Sequence, residues 1–198
     1  MGRTPVNKPR IQNPAKQKEI VSALFPIFMK EGFHSQSTEQ LCFHTGKSKA
    51  TLYKYFESKK EIIQFILEER LSNIENFGDV LFNENIDHKS RYKNAVSLTI
   101  KAIENITPIF LKDLSNVYPD LYLSILELKK MSLNLLRDFY EDGIAKNVFI
   151  DLTAEQLVLN DELFFTAILE SEFLQNQKHD LKTLFEGYFK IRFNGILK

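Results

Sequence analysis

Cysteine occurs once in 198 residues, tryptophan never, glycine seven times and proline six. One cysteine excludes an internal disulfide framework and fits a reducing compartment, so a cytoplasmic location is expected. Every long apolar stretch is broken by a charge well before the ~18 residues that a membrane span requires. Met1-Gly2-Arg3-Thr4-Pro5 has no apolar run behind it and does not read as a secretory signal. The sequence has no G-x-S-x-G, phosphate-binding loop or H-E-x-x-H pattern. His34, His44, His88 and His179 show no metal-ligand spacing. The expectation is a non-enzyme without metal or cofactor. Few helix breakers also imply long helices and few turns.

What is present is ordinary in amount and uneven in placement. Hydrophobic residues make up 43% and charged residues 26%, and the net charge is zero. Residues 1–60 hold 11 Lys/Arg against 4 Asp/Glu, a net +7, and residues 61–198 hold 15 against 22, a net −7. A basic end on an acidic remainder points to a polyanionic partner at one end only.

Helical periodicity accounts for nearly the whole chain. Residues 1–13 read as an arm carrying Arg3, Lys8 and Arg10. Asn13-Pro14 is a helix start, with Asn13 as N-cap and Pro14 in the first turn. Ile20, Ala23, Leu24, Ile27 and Phe28 form one apolar face, and Gly32 suits a left-handed C-cap. Pro26 inside this helix costs about 3 kcal/mol unless a kink absorbs it. Ser37 with Gln40 has the spacing of a capping box for a second, short helix that Gly46 ends. Ser48 caps a third, through Leu52 and Tyr55-Phe56. Ser58 with Glu61 opens a fourth, expected to run through Ile62, Phe65, Ile66, Leu71 and Ile74 to about Phe77-Gly78. Further helices are expected over about residues 89–106, 108–115, 119–143, from Thr153 onward, and over 180–196. The fold class is all-α.

Two short helices joined at Gly46 have the spacing of a helix-turn-helix, whose second helix enters the major groove. The outward face of that helix offers Lys49, Ala50, Thr51, Tyr53 and Lys54. Lysine can donate to guanine, and an Ala or Thr methyl can meet the thymine methyl. Lys59 and Lys60 lie in the first turn of the fourth helix, the unfavourable end for cations. A phosphate there would meet both the lysines and the free backbone N–H groups.

The segment from Ile20 to Ile63 resembles the N-terminal domain of the tetracycline-repressor (TetR) family of bacterial regulators. The resemblance rests on Leu24-Phe25, Gly32-Phe33, Ser37-Thr38, Leu41, Gly46, Ser48, Thr51-Leu52-Tyr53, Tyr55-Phe56, Ser58-Lys59 and Glu61. It implies a phosphate contact at Thr38 and a reading face at Lys49, Ala50, Tyr53 and Lys54. It further implies backbone contacts at Thr51, Tyr53, Tyr55 and Lys59. Lys47 and Cys42 depart from the family's usual valine and alanine, and Glu39 sits beside the DNA-facing side.

The same resemblance implies a three-helix reader over residues 1–60 and a larger ligand-binding and dimerisation domain over 61–198. It implies a homodimer on double-stranded DNA, a palindromic operator and release by a small-molecule effector. Phe110, Tyr118, Tyr122, Phe139, Tyr140 and Phe165 are candidates for the effector pocket. Phe164, Ile168, Leu181, Phe185, Tyr188 and Phe189, on the last two helices, are candidates for the dimer interface. Two other readings stay open at this point: a DNA-binding factor of this fold without an effector, and a helical enzyme or adaptor whose basic end binds another partner.

Overall fold

A computed structural model describes residues 13–72, 74–170 and 180–196. The expected basic arm lies outside the described residues. Among the described residues ten helices follow one another: α1 (Pro14–Glu31), α2 (Thr38–Thr45), α3 (Lys49–Tyr55), α4 (Lys59–Leu71), α5 (Phe77–Leu81), α6 (His88–Ile103), α7 (Pro108–Val117), α8 (Pro119–Ala145), α9 (Ala154–Glu170) and α10 (Leu181–Ile196). The described residues contain no β-sheet, and no helix among them is long and apolar enough to cross a membrane.

The helix starts follow the capping chemistry of the sequence. Asn13 accepts from the Lys16 amide, with Pro14 in the first turn. Ser37 and Gln40 close a reciprocal capping box. Asp87, Thr107 and Thr153 cap α6, α7 and α9 through the backbone N–H three residues on. Each such bond satisfies an N–H that would otherwise lack a partner. Pro26 stays inside α1, which continues to Glu31. Gly32 takes φ 76°, ψ 161°, a positive φ outside the left-handed helical region that was expected. Glycine is required there twice over, because a Cβ would sit 2.5 Å from Asp113 Oδ2.

One boundary differs from expectation. The fourth helix ends at Leu71, and Phe77-Gly78 opens a separate helix, α5. Ile74 and Phe77 are buried and their amides bond back to Leu71 and Ile74, so the chain turns here to lay both side chains into the core. A continuous apolar pattern does not reveal such a turn when no glycine or proline precedes it.

α1, the central α4 and the aromatic side chains of α6, α8 and α10 share one continuous apolar core. α7 packs on both α1 and α8, so it joins the N-terminal helices to the larger bundle. At the far end, Asp161 on α9 is fully buried. It accepts from Tyr140 at 2.7 Å, Tyr188 at 2.6 Å and Arg192 Nε at 3.0 Å. Burial raises the Tyr140 hydroxyl pKa well above its ordinary value, with Tyr92 and Asp161 adding to it. A buried carboxylate with this many donors fixes the register of α8, α9 and α10.

Candidate nucleic-acid interface and the cavity behind it

The reader is built on two capped helices. Ser37 Oγ accepts from the Gln40 amide at 3.3 Å, while Gln40 Oε1 accepts from the Ser37 amide at 2.7 Å. Gly46, at φ 63° and ψ 22°, ends α2 in the left-handed conformation. Ser48 then caps α3. Leu41, Leu52 and Phe56 are buried beneath the pair. The apolar face of α3 is thereby fixed inward, leaving Lys49, Ala50, Tyr53 and Lys54 exposed. Thr51 is half-buried, its hydroxyl 2.9 Å from Ser48 Oγ.

The structure brings Thr38 and Tyr53 together, with Tyr53 Oη 3.3 Å from Thr38 Oγ1. Two hydroxyls suited to phosphate oxygens thus stand side by side at the start of α2. Tyr55, two residues further on, points elsewhere. It is half-buried against the core, and its carbonyl accepts from Gln17 Nε2 at 3.2 Å. Cys42 is likewise half-buried rather than fully enclosed.

Lys47, which stands where an apolar residue is usual, reaches back to α1. Its Nζ lies 2.7 Å from Glu19 Oε1, and Lys16 Nζ is 2.7 Å from the other carboxylate oxygen. Hydrogen bonds from Lys16 and then Lys47 lower the Glu19 pKa to about 2. The turn between α2 and α3 is therefore tied to α1 by an ion pair in place of an apolar contact. Glu39 is exposed, and its pKa is lowered by its own backbone N–H and by Ser37.

Lys59 has a partner that its position in the sequence did not suggest. Its ammonium donates to the carbonyls of Phe33 and Gln36 at 2.8 Å and of His34 at 3.3 Å. An ammonium has three protons, and here each has an internal acceptor. Desolvation lowers the Lys59 pKa, with Asp113 opposing it. Lys59 braces the turn from α1 to α2. Asp113 on α7 holds the same turn from the other side, accepting from the His34 amide at 2.7 Å. Thr107 Oγ1 donates to the Met29 carbonyl at 2.7 Å, and Lys60 pairs with Asp120 of α8 at 2.6 Å. Sequence reasoning passed over Asp113, because a carboxylate in mid-helix gives no signal of an amide on a distant turn.

Residues 20–65 match the model of the bacterial regulatory proteins of the tetR family. The segment from α1 to α4 is therefore similar to the tetR-family regulators. It is 22% identical over 184 residues to the HTH-type transcriptional regulator YvaF of Bacillus subtilis (strain 168), covering 90% of this chain and 94% of the relative. Its fold is similar to that of the ketosteroid transcriptional regulator KstR2 of Mycobacterium tuberculosis, with a TM-score of 0.67, 17% identity, and coverage of 96% of this chain and 100% of the other. It is also similar to FadR of Bacillus subtilis in complex with stearoyl-CoA, with a TM-score of 0.60, 20% identity, and coverage of 90% and 98%. The matched residues include α2 and α3 in full.

Behind these helices, a cavity of about 130 Å³ lies among α4–α10. Of the six aromatics expected in a pocket, Phe110 and Phe165 line it. The other four have different work. Tyr118 stacks on Phe33 at 5.5 Å, and the Tyr122 hydroxyl donates to the Leu169 carbonyl. Phe139 packs between His88 and Tyr92, and Tyr140 serves Asp161. Aromatic spacing marks burial and does not say which buried ring borders a void.

Most of the expected dimer residues lie inside the protomer. Ile168, Leu181, Phe185 and Phe189 are buried within the protomer, while Phe164 and Tyr188 are half-buried and stacked on each other at 3.9 Å. These rings join α9 to α10 inside one chain. The outward stripes are Leu159, Leu163 and Ala167 on α9, and Gly187, Ile191 and Gly195 on α10. Leu163 is 62% and Ile191 77% exposed, which is unusual for side chains of this size.

Proposed function

We propose that this protein is a homodimeric repressor, released from a palindromic operator when a small effector enters the cavity. Residues 1–60 act as the reader and 61–198 as the regulatory and dimerisation part. Lys49, Ala50, Tyr53 and Lys54 face the major groove. Thr38 and Tyr53, with Thr51 and Tyr55 at the edges, meet phosphates. Lys59 serves the same contact indirectly by fixing the turn before Thr38.

One observation carries the effector reading. Phe110 lines the cavity and also packs edge-on against Phe33, with ring centroids 5.4 Å apart. Phe33 belongs to the turn held by Lys59 and Asp113, which sets the start of α2. A ligand that displaces Phe110 therefore presses on the segment that aims the reader. It releases DNA only if it binds the displaced arrangement better than the DNA-binding one.

The outward stripes of α9 and α10 supply the interface with a second copy. Glycines on either side of Ile191 let another helix approach closely. Two copies joined there would present two α3 helices to half-sites one turn of DNA apart, ~34–36 Å. The test is DNA affinity on selected operator fragments and on random DNA. Lys49→Ala and Lys54→Ala should each lower discrimination by about 1–3 kcal/mol at one base position. Equal losses on both DNAs would remove base reading from α3.

A further inference from the structure

The cavity has a charge character of its own. Among its described lining residues are two cations, Arg70 and Lys129, and no acid, while the rest are mostly apolar. Lys129 donates to Thr166 Oγ1 at 3.1 Å. Arg70 forms no hydrogen bond with a carboxylate among the described residues. Its guanidinium instead rests over the Phe25 ring of α1, 4.4 Å from the centroid. The acid that feels its field, Glu104, is bound by Lys182 at 2.7 Å. A guanidinium beside an apolar cavity, with its fork of donors unclaimed by any described carboxylate, suits a planar anion.

Size narrows the choice. A cavity of about 130 Å³ is close to the ~150 Å³ that holds one benzene ring. A chain as long as a stearoyl group exceeds it. Resting on the effector reading above, we propose that the ligand is a small apolar carboxylic acid with a body of roughly six carbons, a size set by comparison with the benzene cavity. The body fills the space beside Phe110 and Phe165, and the carboxylate pairs with the Arg70 guanidinium. One side chain then touches both the ligand and α1, so binding draws the guanidinium away from Phe25 and couples the cavity to the reader by a second route.

The experiment compares hexanoate with 1-hexanol, and benzoate with benzyl alcohol, by calorimetry on the full chain. Each acid should bind about ten- to a hundredfold more tightly than its alcohol, the range of charged hydrogen bonds. Arg70→Gln should abolish that preference while alcohol binding persists, Arg70→Lys should keep part of it, and Lys129→Gln should leave it intact. Hexanoate should bind more tightly than palmitate. Equal affinity for acid and alcohol, a preference that survives Arg70→Gln, tighter palmitate, or no binding of any probe would overturn the proposal. Operator release is read separately. Release by the alcohols as readily as by the acids keeps the repressor reading and removes this one. Binding through Arg70 without release does the reverse.

Discussion

Replacing Lys59 with glutamine isolates a brace from a phosphate clamp. In the structure its ammonium donates to three carbonyls of one turn, two at 2.8 Å and one at 3.3 Å. Hydrogen bonds to a charged group contribute roughly 1.5–3 kcal/mol each when well formed. The two short bonds dominate, and the long one adds little. Against them stand partial exposure, the cost of drawing the ammonium out of water, and its unfavourable place in the first turn of α4, about 0.3–1 kcal/mol. The balance is a loss of about 1–3 kcal/mol, after these offsets to the charged hydrogen bonds. At about 2–4 °C per kcal/mol for a chain of this size, the melting temperature should fall by about 2–12 °C. Lys60→Gln is the control, since its pair with Asp120 is exposed and adds little to stability. The assay is thermal unfolding without DNA, together with DNA affinity across a salt series. A brace predicts a lower melting temperature and a salt slope close to wild type. An unchanged melting temperature with a slope lower by about one unit would place the ammonium on a phosphate and refute the reasoning.

Glu19 should shape the acid limb of stability. Its pKa is lowered to about 2 from an ordinary 4.5, so its contribution is complete above about 4.5 and is lost as pH falls through 2. Melting curves of wild type and Glu19→Gln should therefore converge toward pH 2, and a constant gap across pH would exclude the Lys16 and Lys47 pairs as the cause. Asp161→Ala should cost about 3–5 kcal/mol in urea unfolding, because Arg192 is left buried without its counter-charge; a loss below about 1 kcal/mol, typical of an exposed pair, would mean that water replaces the carboxylate. Leu163→Glu and Ile191→Glu should give folded monomers in sedimentation, whereas Phe185→Glu should unfold the protomer. Intact dimers from both outward variants would rule out the α9 and α10 stripes.

The sequence is most legible where chemistry is local. Asn13, Ser37, Ser48, Ser58 and Thr153 each announce a helix start, because a capping bond needs only residues three apart. Gly46 marks the turn of the reader for the same reason. The exposed face of α3 was readable because Leu52 and Phe56 fix its inward side. What needed the third dimension was pairing across distance. Lys59 is 23 to 26 residues from the carbonyls it holds, and Asp113 is 79 residues from the His34 amide. Apolar periodicity on α10 correctly marks Phe185 and Phe189 as buried. It cannot say whether the same chain or a second copy covers them. The break after Leu71 was hidden because Ile74 and Phe77 continue the apolar pattern through the turn.

Selection of bound fragments from a random double-stranded DNA library tests the central claim most directly. The full chain should enrich an inverted repeat whose half-sites are centred one helical turn apart, ~34–36 Å. The Lys49→Ala and Lys54→Ala variants should each relax the sequence at one position per half-site. Enrichment of no sequence, or of the same sequence by both variants, would contradict the account of α3 as the reading helix.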